Sequence, residues 1–171
     1  MKTSFKVLPL IASLAAVSAF AQTPADITPP AGNKAAMTLS ATGMLSYECK
    51  AVADKPGAFA WTFAGPDAKL WDANKKEVGK YYAGPTWEAT DGSKVTGKQL
   101  AVSPSAAGAI PLQLVQAAPT TGAGAMADVT YIQRLKTVGG VAPAAPACLA
   151  TNVGTKSTVG YTADYVFFKK G

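Results

Sequence analysis

WDANKKEVGKYYAGPTWEATDGSKVTGK, running from Trp71 to Lys98, decides the fold. The stretch says one thing twice: a Trp, an acid, an Ala, a turn, then Val, Gly and Lys. The first pass covers Trp71 to Lys80 and the second Trp87 to Lys98. Asn74 and Asp91-Gly92 have a physical reason to turn. Asx side chains bond their own backbone, and glycine reaches positive φ without steric cost. Asp91-Gly92 between Trp87-Glu-Ala and Lys94-Val is a hairpin signal. The pair reads as two consecutive hairpins of a meander, because a solenoid needs at least about three copies.

The same period of two continues on both sides. Upstream, Met37–Ala41 and Met44–Val52 alternate apolar with polar, as half-buried strands do. Phe59, Trp61 and Phe63 share a face, and Gly65-Pro66 is expected to end that strand. Ala68–Asp72, Val78–Tyr82, Thr86–Ala89 and Lys94–Leu100 follow as short strands. Downstream, Ile110–Ala117 reads either as a helix opened by Pro111 or as an edge strand. Thr120–Ala127, with its Gly-Ala-Gly-Ala, is expected to be mobile. Val129–Leu135 is a strand with Val129, Tyr131, Gln133 and Leu135 on one face. A loop from Val138 delivers Cys148, and Val159–Phe168 is the last strand. Many short strands with Gly/Pro turns predict an all-β fold, either an antiparallel β-sandwich or a small closed β-barrel, in a single domain. A barrel embedded in a membrane would need strands of about ten residues with an apolar outer face. Most strands here are shorter and carry lysines, so the domain is not expected to be membrane-embedded.

The first residues carry a different signal. Lys2 and Lys6 precede an apolar run from Val7 to Ala19, and Ala19-Phe20-Ala21 forms an A-x-A site. This is the pattern of a signal peptide over residues 1–21, cleaved between Ala21 and Gln22. The run is shorter than the about 20 residues that span a bilayer. The expected location is therefore periplasmic or extracellular. Residues 22–34, rich in proline, read as a flexible leader, with the β domain over 35–171.

Removing 21 residues leaves 150 of 171, enough for one core. The remaining 14 basic and 10 acidic residues give a net charge of +4. That excess is modest, and Arg134 is the only arginine, so a nucleic-acid partner is not expected. The chain has no histidine. That excludes Ser-His-Asp and Cys-His catalysis in their usual forms and His-ligated transition metals. No cofactor or metal is expected. Cys49 and Cys148 are the two cysteines. In an exported chain they most simply form one disulfide. The alternative, a redox pair, would be supported by C-x-x-C spacing, which is absent.

Four segments carry a resemblance: YYAGPTWEATDGSKVTG from Tyr81, Ala109-Ile-Pro111, VTYIQRLKTVGG from Val129, and YTADY from Tyr161. Together they resemble the secreted family called domain of unknown function 3455, over about Leu45 to Phe167. Cys49 and Cys148 look like family features. The resemblance implies export and brings no activity to any residue. Dinucleotide chemistry is excluded separately, since neither Gly-x-Gly-x-x-Gly nor a βαβ pattern is present.

The candidate ligand-binding residues are Tyr81, Tyr82, Trp87 and Arg134. The aromatics would stack on a glycan or a small apolar ligand; the competing reading is core packing. Trp61 and Trp71 are assigned to the core. Tyr81 and Tyr82 are adjacent in a strand and point to opposite faces. Gly84-Pro85 fixes the backbone between Tyr81 and Trp87, so this segment is expected to line the rim of a cleft with Trp87 partly exposed. Arg134, inside an apolar strand, either holds an anion or carboxylate ligand, or serves the structure through an ion pair or a backbone-carbonyl clamp. The remaining catalytic candidates are carboxylates: Glu48, Asp72, Glu77, Glu88, Asp91, Asp128 and Asp164. A glycosidase needs two of them facing each other across about 5–10 Å. The expected function is a non-catalytic binding or structural role in the cell envelope, with a small carboxylate-dependent glycan hydrolase as the alternative.

Overall fold

The computed structural model describes residues 25–120 and 123–171. The expected signal peptide and its cleavage site at Ala21 and Gln22 lie outside them. Among the described residues, eight antiparallel strands close into one barrel in simple meander order. They are β1 (Asn33–Ala51), β2 (Phe59–Trp71), β3 (Glu77–Tyr82), β4 (Thr86–Ala89), β5 (Lys94–Ser103), β6 (Leu112–Ala117), β7 (Val129–Gly139) and β8 (Lys156–Lys170). β1 closes the barrel by pairing with β8 from Asn33↔Lys170 to Glu48↔Lys156. Closure leaves no free sheet edge. The repeated Trp-acid-turn pattern forms the β2–β3 and β4–β5 hairpins.

Two expected breaks are absent. Met37–Ala41 and all of Met44–Val52 but its last residue are parts of the single strand β1, and β2 runs through Gly65-Pro66. Pro66 is tolerated because β2 pairs there with β1 alone; β3 joins only from Asp67. A proline costs a ladder bond only where a neighbour needs its N–H. A bulge opposite Ser46/Tyr47 absorbs the extra residue. Ile110–Ala117 resolves as a strand, with Pro111 just before it.

Alternation assigns the lumen. Leu39, Ala41, Leu45 and Tyr47 point inward from β1, as do Leu70, Tyr81, Trp87, Val95, Ile132, Tyr165 and Phe167 from the other strands. Trp71 is the exception to the expected core tryptophans. Its partner Ser40 faces outward, and Lys69 Nζ stands 5.8 Å over its ring. On β7, bulges after Val129 and after Leu135 break the expected single face. Val129 enters the core, whereas Gln133 pairs outward with Leu114.

Leu114 and Gln133 are nonetheless buried, because a segment before the barrel covers them. A short 3-10 turn, Ala25–Ile27, places Ile27 fully out of solvent, and Gln133 Nε2 donates to its carbonyl at 2.6 Å. Part of the stretch expected to be a flexible leader is therefore packed, and Asn33 already belongs to β1.

The two barrel ends are built differently. At the end holding the β4–β5 turn, residues 123–128 form a plug with Met126 fully buried. Asp91 holds it: one carboxylate oxygen accepts Ala125 N–H at 2.7 Å, and Ser93 Oγ accepts Met126 N–H at 3.1 Å. Gly124, at φ +141°, passes so close to the Asp91 carboxylate that a Cβ would collide with it. The described part of the segment expected to be mobile is thus anchored. At the other end, Cys49 and Cys148 form a disulfide that fastens the β7–β8 connection to β1, as expected.

Candidate functional site

The lumen is packed below and hollow above. Trp87 fills it in ring contact with both Phe167 and Tyr165, and Tyr81 stacks on Trp87 with centroids 4.6 Å apart. Above them lies a cavity of about 430 Å³ that opens at the disulfide end. Tyr47, Tyr81, Gln99, Gln113 and Arg134 supply its polar wall, and Phe63 stands at its rim in edge contact with Tyr47. Gly65, Gly84 and Gly97 also line it. Gly65 and Gly97 on strands and Gly84 in the β3–β4 turn place no side chain there. The volume falls in the range of about 300–1,000 Å³ common for small-molecule sites.

The four predicted ligand residues separate into three places. Tyr81 and Arg134 meet at the cavity. Trp87 is fully buried beneath it, contrary to the partial exposure expected. Its cross-strand pairing with Tyr81 and Val95 turns it inward, where a large apolar ring gains most from burial. Gly84 and Pro85, the turn next to it, do line the cavity. Tyr82 lies on the outer face. Its hydroxyl donates to Glu88 at 2.7 Å, and Lys80 Nζ sits 5.4 Å from its ring centroid. Tyr82 is thus separated from the cavity by the barrel wall.

Arg134 faces inward because its neighbours across β6 and β8 are Gln113 and Tyr165. Its Nε and Nη2 donate to the Pro111 carbonyl at 3.2 and 2.9 Å, so the backbone-carbonyl clamp is real. The clamp anchors the β5–β6 connection over the mouth. Thr137 assists by donating to the Ile110 carbonyl at 2.6 Å. Gly140, at φ +80°, brings a carbonyl to the Tyr47 hydroxyl at 2.6 Å, between Leu45, Ile110 and the Tyr161 Cβ. A larger residue would not fit there.

Among the described residues, Arg134 makes no ion pair, while the outer face holds several. Glu48 pairs with Lys50, Glu77 with Lys69, Glu88 with Lys80 and Lys94, and Asp164 with Lys136. No Asp or Glu lines the cavity. The phenols near Arg134 stay neutral. Burial pushes Tyr161 up to about 12 and raises Tyr81, Tyr165 and Tyr47, against a smaller lowering by Arg134. The lumen therefore carries one positive charge and no negative one.

The carboxylate candidates do not converge. Asp72 accepts the N–H groups of Asn74 and Lys76 in its turn, Asp91 holds the plug, and Asp128 sits just before β7. No group of three or more His, Cys, Asp or Glu side chains among the described residues could hold a metal ion. No helix among them is long and apolar enough to cross a membrane.

Sequence reasoning missed Tyr47, Gln99 and Gln113. A signal was available: each sits at an inward register position in an alternating strand, where a polar side chain is out of place unless the lumen is wet. A family model described as a protein of unknown function (DUF3455) matches residues 30–169. No curated protein and no solved structure matches the chain.

Proposed function

The chain belongs to the DUF3455 family of proteins of unknown function, and we propose that it is an exported, non-catalytic domain of the cell envelope that binds a small apolar ligand in the upper lumen. The observation that carries this reading is the contrast inside one barrel. Aromatic rings fill the lower half, yet about 430 Å³ is left open above them. Interiors otherwise pack to crystal-like density, so a hollow lined by glycines is a feature that packing alone does not call for. The disulfide fits an oxidising compartment, periplasmic or extracellular. The outer face carries Lys–Glu and Lys–Asp pairs along its strands, which a lipid-facing band would not hold. The domain therefore acts in water. A glycan hydrolase would need two facing carboxylates, and the acids point to the outer face or to turns.

The test is titration of the purified protein with the neutral dye Nile red. The expected result is saturable fluorescence enhancement at one site per chain. Absence of saturable binding would overturn the reading.

A further inference from the structure

We infer that the upper lumen is selective for a monoanion: a carboxylate head received by Arg134, attached to an apolar body that extends toward Phe63, Pro85 and Ile110. The inference rests on the binding reading above and adds the ligand's chemistry. A guanidinium has five N–H donors in a planar fork. Pro111 takes Nε and one Nη2 donor, and Tyr165 is the other neighbour within hydrogen-bonding reach. No carboxylate among the described residues answers the remaining charge, although Glu48, Glu77, Glu88 and Asp164 all find lysines on the outer face.

Pro111 supplies the second half of the argument. By holding the guanidinium through its carbonyl, it fixes the fork before any ligand arrives, so little side-chain entropy is lost on binding. The neighbouring polar groups, Gln99 and Gln113, are neutral and bonded to each other through their amides. They can turn to an anion, but they cannot replace its charge. The rest of the wall is apolar or aromatic: Leu45, Phe63, Pro66, Pro85, Ile110 and Val115. A dianion would find a single positive charge and a largely apolar wall, which favours a monocarboxylate. In such surroundings a charge-assisted, bidentate bond is stronger than it would be in water.

Displacement of bound Nile red by octanoate and by octanol tests this. The two have the same chain length and differ in the head. Octanoate is expected to displace the dye at a concentration about tenfold lower than octanol, the ratio that a charge-assisted bond confers over a neutral one. Arg134→Gln should erase that preference. Gln113→Glu, which places a carboxylate opposite an intact Arg134, should erase it as well, and it serves if Arg134→Gln fails to fold. Equal displacement by octanoate and octanol in the wild-type chain, or a preference that survives in either variant, would overturn the anion inference. If Nile red itself does not bind the wild type, the binding reading fails first, and the two failures are thereby told apart.

Discussion

The two halves of this barrel share eight strands and differ in how they are held. The lower half is closed by rings and by a plug: Trp87 touches both Phe167 and Tyr165, and Met126 is fully buried below them. The upper half has no such filling. It is held around its rim, by the disulfide, by the Arg134 clamp on Pro111 and by the Tyr47 bond to Gly140. Packing supplies stability where the lumen is full, and covalent and polar ties supply it where the lumen is kept open.

The largest expected effect comes from cutting the covalent tie. The disulfide closes a loop with a sequence separation of 99. In the chain-entropy model, a loop of about 100 residues contributes about 4.7 kcal/mol. Urea unfolding of the Cys49→Ser, Cys148→Ser double variant should show a loss of this order, although no packed ring is disturbed. A loss below about 1 kcal/mol would mean that the upper half is held by something other than this tie.

Next comes the packed half. Trp87→Ala should cost about 3–5 kcal/mol in the same assay. Trp87→Phe should cost much less, because Trp87 Nε1 has no hydrogen-bond partner among the described residues to lose. A small cost for Trp87→Ala would restore the exposed stacking platform expected from the Gly84-Pro85 turn.

The tyrosines at the boundary give a pH test. A phenol whose folded pKa is raised stabilises the fold fully below its unfolded value of about 10. That stability is lost as pH rises through the folded value, about 12 for Tyr161 and higher still for Tyr81. Phenolate absorbance of the folded protein should lag well behind that of the urea-unfolded chain above about pH 10. Coincident curves would place these rings in water.

The smallest effect concerns the plug. Hydrogen bonds from the Ser93 hydroxyl, the Ala125 N–H and the Ser93 N–H hold the Asp91 carboxyl below its usual value. A lowered carboxyl stabilises above its unfolded pKa, and the contribution is lost as pH falls through the folded one. Asp91→Asn should therefore lower the melting temperature slightly at neutral pH. The gap should close as the wild type is acidified below about pH 4. A gap that persists in acid would mean that Asp91 acts through something other than its charge.

The lower half was the more legible of the two in the sequence. Apolar alternation and Asx turns report local geometry, and the hairpins at Trp71 and Trp87 follow from them. Closure, the plug and the covering of Leu114 and Gln133 by Ile27 depend on contacts between distant segments, which no local pattern carries. Trp87 was misjudged for a related reason. Gly84-Pro85 reports a tight turn, whereas the inward face of Trp87 is set by its pairing with Val95 and Tyr81. The hollow was hardest to see, since its lining combines Gly65, Gly84 and Gly97 with an Arg134 that makes no ion pair among the described residues.

The central claim is that the upper lumen is kept open for a ligand, and filling it tests this most directly. Gln99 lies exposed at the mouth and lines the cavity, so Gln99→Trp should occupy the space without disturbing the rings below. The account predicts that this variant melts at or above the wild-type temperature and no longer binds Nile red. Full Nile red binding by a folded Gln99→Trp protein would contradict it.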